Sequence, residues 1–178
     1  MTRQQLGSYR NEWFERGRPA VVEALWILAS IFVSSSLPGS GPRVWLLKLF
    51  GARLGTGVVI KPGVKVKFPW RLEIGEHTWI GEGVWIDNLD WVRIGDNCCL
   101  SQGVYICTGS HDWSKTTFDL MVKPVSILDG SWLGASCQLA PGVTVGEDAV
   151  IAMGSTLVGD AEPSSVYQGN PAQKVRAR

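Results

Sequence analysis

Through most of this chain an aliphatic residue returns every six positions, and that period limits what the chain can fold into. In the second half it marks Ile127, Leu133, Leu139, Val145, Ile151 and Leu157. In the first half it marks Leu54, Ile60 and Val66, then Ile74, Ile80 and Ile86, then Ile94, Leu100 and Ile106. Four places after most of these stands a small or β-branched residue: Val58, Val64, Thr78, Val84, Cys98, Val104, Ser131, Cys137, Val143, Ala149 or Ser155. A period of six fits neither the 3.6 of a helix nor the 2 of an ordinary strand. It is the mark of a β-solenoid in which three short strands build one coil of a triangular prism. The large residue and its small companion point inward and stack on their equivalents in the next coil.

Breaks in the period say where to look for chemistry. From Val66 to Ile74, and from Ile86 to Ile94, the step is eight rather than six. From Ile106 to Ile127 it is 21, three more than three hexads require, and the excess falls around Gly109–Lys115. A loop leaving a regular scaffold is where function concentrates.

The 178 residues suit one domain with a modest extension. A formal net charge of +1, with Lys and Arg scattered, leaves no electrostatic footprint for nucleic acid. The four Cys lack metal or redox spacing. Cys98 and Cys137 take small inward places, as core hydrophobes do, so a reducing compartment is expected. Nine Trp are many for a solenoid, and Trp70, Trp85, Trp91 and Trp113 fall at rims or loops, where subunit or ligand contacts would use them.

The expected organisation is an N-terminal helical extension over 1–53, a β-helix over 54–161 with a loop at about 109–124, and a tail over 162–178. After a polar, basic leader, Pro19 opens an apolar run over 20–33 that reads as a helix with Pro in its first turn. Glu23 lies within it, and it is shorter than the ~20 residues of a membrane span. Three readings fit: a helix packed on the solenoid or across subunits, a membrane-surface anchor, or a cleaved signal. Pro38–Pro42 reads as a loop, and Val44–Phe50 as a second short helix ending at Gly51. These helices are expected to cap the first coil, because open strand edges are a liability.

The repeat, the run Cys107-Thr108-Gly109-Ser110-His111-Asp112 and the terminal Gly169-Asn170-Pro171-Ala172 resemble the hexapeptide-repeat acetyltransferases, which have a left-handed β-helix. Leu49-Phe50-Gly51-Ala52, Phe68-Pro69-Trp70 and Ile86-Asp87-Asn88 are similar to the colanic-acid-type exopolysaccharide O-acetyltransferases among them. The resemblance covers roughly residues 44–176. It implies transfer of acetyl from acetyl-CoA directly to a sugar hydroxyl in exopolysaccharide synthesis, without a metal.

Such a transfer needs a base for the hydroxyl proton, and His is the usual one near neutrality. Of two His in the chain, His77 takes an outward place and reads as a surface residue. His111 stands at the large loop, where the resemblance implies the catalytic His. Asp112 is a candidate to orient it, and Cys107 a weaker candidate acyl carrier. On the acceptor side the resemblance implies Asp87 and Asn88, with Trp113 as an apolar wall for a sugar face; polar-turn and loop-packing readings stay open for them. On the donor side it implies Trp132, Gly134, Ala135, Met153 and Gly154 along the pantetheine arm, and Lys174 and Arg176 toward the CoA phosphates. Gly159-Asp160 and Gln173 depart from the family pattern where basic residues are common.

The resemblance also implies a homotrimer in the cytoplasm with a saccharide acceptor, free or lipid-linked, and the apolar helix raises peripheral contact with the inner membrane face. A non-catalytic scaffold or glycan-binding solenoid, and an acetyltransferase for another small acceptor, remain as alternatives. A zinc hydratase on this solenoid would need three His, and the chain has two.

Overall fold

Each inward aliphatic residue lies directly over its counterpart one coil away, and the computed structural model, which describes residues 3–178, is built from three such columns. One runs Leu54, Ile74, Ile94, Ile127, Val145. The second runs Ile60, Ile80, Leu100, Leu133, Ile151, Tyr167. The third runs Val66, Ile86, Ile106, Leu139, Leu157. All are buried. Strands of two or three residues stack in parallel into three sheets, the faces of a left-handed prism of about six turns.

Between the columns, the small companions fill the corners. Thr78 is tolerated inside because its hydroxyl donates to the Gly95 carbonyl at 2.7 Å and accepts from the Cys98 amide at 2.9 Å. Ser131 likewise donates to Gly146 at 2.9 Å. Cys98 and Cys137 are buried, and burial pushes the Cys137 thiol up to about 12. His77 is a corner residue. It turns the chain at φ 55°, a left-handed conformation, and a Cβ on Gly57 in the coil before would come within 2.4 Å of its Nδ1.

Register alters the reading of the long step. Ile106 lies on the third face and Ile127 on the first, so the 21 residues cross a single corner rather than a full coil. The insertion is therefore much larger than a count in whole hexads suggests. It forms an antiparallel hairpin, Gly109–His111 against Leu120–Val122. Both eight-residue steps fall at this same corner, one as a short 3-10 turn over Pro69–Arg71. One edge of the prism thus carries every irregularity.

The extension folds as α1 (Ala20–Val33) and α2 (Gly41–Leu49). Helix α2 starts earlier than expected, inside the Pro38–Pro42 stretch, because Pro42 is pre-set for a first helical turn. Both helices cap the open end of the first coil. The Trp26 indole donates to the Val66 carbonyl at 3.2 Å, Ser40 Oγ accepts from the Ile60 amide at 2.8 Å, and the Ser35 carbonyl accepts from the Gly63 amide at 3.2 Å. Backbone groups that no preceding coil can pair are thereby satisfied. At the far end Ser165–Gly169 adds a last parallel strand, and Ala172–Ala177 returns antiparallel to it. No helix among the described residues is long and apolar enough to cross a membrane.

Candidate active site

His111 closes the first strand of the hairpin, opposite Leu120. Its Nδ1 lies 2.8 Å from the Phe118 carbonyl oxygen, and a backbone carbonyl can only accept. Nδ1 therefore carries the proton, and Nε2 is left with a lone pair. Phe118 holds this position with φ 53°, uncommon for a bulky residue, while its ring stacks on the imidazole at 4.3 Å and 2°. Tyr9 meets the imidazole edge-on, with ring centroids 5.6 Å apart. The imidazole is thus fixed in tautomer and in plane, as a general base requires.

Asp112, a candidate orienter in sequence, does something else. Its Oδ1 accepts from the Ser114 amide at 3.0 Å and the Ser114 hydroxyl at 2.5 Å, closing the loop tip. Those bonds hold its carboxyl below the usual range, and Lys115 adds to the effect. Trp113 projects from this tip, 75% exposed, with its carbonyl accepting from Gln4 Nε2 at 3.3 Å. The N-terminal arm, whose structure sequence leaves open, runs along this edge: Gln5 donates to the Thr116 carbonyl at 2.8 Å, and the Trp70 indole donates to Arg16 O at 2.7 Å. Tyr9 reaches the imidazole as part of that arm, a contact no local motif announces.

Below the hairpin, Asp87 pairs in register with Cys107. Its Oδ1 lies 3.0 Å from Lys67 Nζ without making a directed hydrogen bond, and Oδ2 accepts from the Tyr105 hydroxyl at 3.3 Å. Burial, helped by Cys107 and then Asp87, pushes the Tyr105 hydroxyl above its ordinary range. Leu89 packs onto Gly109, where a Cβ would meet its Cδ1 at 2.6 Å, so this segment and the hairpin root are joined.

Asn88, read as an acceptor contact, is corrected by its burial. It is fully enclosed, accepts from the Phe68 amide at 3.0 Å, and donates to the Phe68 and Arg71 carbonyls at 2.7 and 3.1 Å. It is a clip between coils. Its amide has no donor left for a sugar, so its part in any acceptor site is to hold the Asp87 segment in place.

A second feature lies on the edge between the second and third sheets. Trp132, Gly134, Ala135 and Met153 line one groove of about 450 Å³ together with Ser101, Gln102, Val150, Ile151 and Ala152. It continues past Ser101 and Gln102 toward Gly81, Trp79 and Lys61. The Trp132 indole is held by Ser101 Oγ at 3.0 Å. Gly134 allows the close approach of the coils: a Cβ there would lie 2.5 Å from the Met153 amide nitrogen. Gly154 makes the turn after Met153 at φ 70°. Arg176 continues the outward column Trp79, Cys99, Trp132, Val150, Val166. Lys174 is already paired with Glu162 at 2.6 Å, and that bond raises its ammonium pKa.

Within one chain, His111 and this groove stand on different edges of the prism, with the third sheet between them.

Two family models match: bacterial transferase hexapeptide (six repeats) over residues 124–159, and the hexapeptide repeat of succinyl-transferase over 71–107. The chain is 38% identical over 165 residues to the "Putative colanic acid biosynthesis acetyltransferase WcaF" of Escherichia coli strain K12, covering 92% of this chain and 91% of that one. This protein belongs to the hexapeptide-repeat acetyltransferases. The acetyltransferase is also 26% identical over 137 residues to the galactoside O-acetyltransferase of the same strain, covering 75% of this chain and 68% of that one. Its fold matches the hexapeptide-repeat acetyltransferase VCA0836 of Vibrio cholerae, solved with acetyl-CoA, at TM-score 0.81 and 24% identity, over 89% and 87% of the two chains.

The Gly134 contact gives a direct expectation for the acetyltransferase. Gly134→Val should push the Ala152–Met153 backbone away and close the groove, and on the reading that the groove takes the pantetheine arm it should weaken CoA binding by about 100-fold. Calorimetric titration with CoA measures it, and unchanged affinity would take the groove out of the donor site.

Proposed function

We propose that the protein transfers acetyl from acetyl-CoA to a sugar hydroxyl during assembly of an exopolysaccharide of the colanic-acid type, with His111 as general base. The observation that carries this is the Nδ1–Phe118 carbonyl bond at 2.8 Å, which leaves Nε2 as the proton acceptor. His111 Nε2 removes the hydroxyl proton as the sugar oxygen attacks the thioester carbonyl. The tetrahedral intermediate collapses to a sugar acetate and the CoA thiolate, and the imidazolium returns its proton to sulfur. Asp87 is the acceptor-side carboxylate in this reading, and Trp113 an exposed ring at the loop tip. The kinship with WcaF and with a galactoside O-acetyltransferase supports a saccharide acceptor.

Because His111 and the Trp132–Met153 groove occupy different edges, a complete site needs two copies, His111 from one and the groove from the next. Three copies around an axis close such a head-to-tail contact, so a cytoplasmic homotrimer is the assembly we propose.

Direct transfer predicts that initial-rate plots for the two substrates intersect, and that Cys107→Ala keeps at least about half the wild-type kcat. The Cys107 thiol is turned onto the Gly109 carbonyl at 3.0 Å. Parallel plots, with loss of activity in the Cys107 variant, would replace this mechanism by a covalent one.

A further inference from the structure

Helix α1 is apolar on both sides but packs on only one. Val22, Trp26, Ala29 and Val33 face the solenoid, fully or partly buried. Val21, Leu25, Leu28 and Ile31 recur at helical spacing on the opposite face and are 65, 54, 66 and 66% exposed. On α2, Trp45 and Leu49 point away from the coil in the same way, 64 and 62% exposed, while Arg43 and Leu47 point in. Both helices sit on one end of the prism, so their outward faces form one apolar end surface. Isolated exposed side chains need no partner, but a contiguous group of this size marks an interaction surface.

Charge identifies the partner. Of the seven Lys and Arg in residues 1–53, Arg43 is buried and Arg53 is paired with Glu73, and the exposed cations flanking the two helices are Arg18 and Lys48. Glu23, the one acid on α1, is neutralised by Arg16 at 2.5 Å. Arg18 precedes the helix and Lys48 stands exposed beside Leu49. A second copy docking face to face would set like charge on like charge. An anionic bilayer meets both the apolar face and the positive surround. The helix does not span: 14 residues reach about 21 Å against a hydrocarbon core of about 30 Å.

We propose that the outward faces of α1 and α2 form a docking surface for anionic phospholipid, on which the solenoid stands end-on with α1 lying in the membrane interface. This orientation leaves the His111 edge and the Trp132–Met153 groove along the sides of the prism, reachable while the end is seated. It stands apart from the acetyl-transfer reading and can fail without it.

The test is co-sedimentation of the full chain with sucrose-loaded vesicles, one set of phosphatidylcholine alone and one containing about a third phosphatidylglycerol. The wild type is expected to pellet with the anionic set, less so as salt rises, and to stay in solution with the neutral one. The triple variant Leu25→Gln, Leu28→Gln, Ile31→Gln changes only exposed positions, and should lose about tenfold or more of that binding while keeping its circular dichroism and its mass by light scattering. Trp45→Gln, on the other helix, should weaken binding in the same direction. Wild type that ignores both vesicle sets, or binds both equally, overturns the proposal. So does a triple variant that pellets like wild type, or one whose assembly mass falls, which would assign the face to contact between copies.

Discussion

Replacing His111 with Ala is expected to cut acceptor-dependent release of free CoA by about 10²–10⁴-fold, with CoA affinity unchanged. The size follows from the role proposed for the imidazole. Without it the sugar hydroxyl must lose its proton to water as it attacks, while the rest of the site is intact. In the proposed site the donor is held by the groove residues of the next copy rather than by the imidazole, so CoA affinity should not change. The same geometry separates His111→Ala from a change in its support. Phe118 supplies a backbone carbonyl, which no side-chain substitution removes, but its stacked ring keeps the imidazole in plane. Phe118→Gly would keep φ 53° without strain and lose the stack. A drop in kcat smaller than that of His111→Ala, with little change in KM, is the corresponding outcome. Thiol release measured against acceptor concentration gives both parameters.

The largest stability effect is expected at Arg43. Its side chain is fully buried, yet it forms no ion pair among the described residues. Instead the guanidinium donates to four backbone carbonyls: Val33 at 2.9 Å, Gly39 at 2.6 Å, Ser35 at 2.8 Å and Leu37 at 2.6 Å. The Val33 oxygen ends α1, where the helix dipole is negative, and the other three lie in the turn that follows, so the charge sits at a helix C-terminus and over the Phe32 ring at 5.7 Å. Arg43→Met matches the volume but leaves several carbonyls without donors. A loss of about 3–5 kcal/mol in urea denaturation is expected, because each orphaned buried group costs about 1–3 kcal/mol and part is recovered by water. Arg43→Lys keeps the charge but lacks the fork, and should recover less than half of the loss. Wild-type stability in Arg43→Met would mean that the α1–α2 turn is not part of the cooperative unit.

The sequence period made the solenoid and its core legible, because inward positions in a coil of three sides have nowhere else to go. Ile80, Leu100 and Leu133 stack as their spacing requires. It also made His111 legible as one of only two His and the one beside the break. Other features were hidden for physical reasons. The length of the hairpin was obscured because 21 residues are close to three hexads, and only register shows that Ile106 and Ile127 flank one corner. Asn88 reads as a polar turn residue, since burial of an amide is decided by which carbonyls it meets, here Phe68 and Arg71. The group that orients His111 is a backbone oxygen, and a backbone oxygen has no letter. Tyr9 reaches the imidazole from more than a hundred residues away in sequence, through contacts such as Gln5 to Thr116.

Whether this solenoid places acetyl groups on sugar hydroxyls, as we propose, is measured by following the transfer itself. The protein would be incubated with acetyl-CoA carrying labelled acetyl and a panel of sugars, nucleotide sugars and lipid-linked saccharides, and the products read by mass spectrometry. Labelled acetate in ester linkage on a saccharide is expected with wild type and is expected to be absent with His111→Ala. Acetylation of amines or of non-saccharide acceptors alone, or of saccharides at equal rates in both proteins, would contradict it.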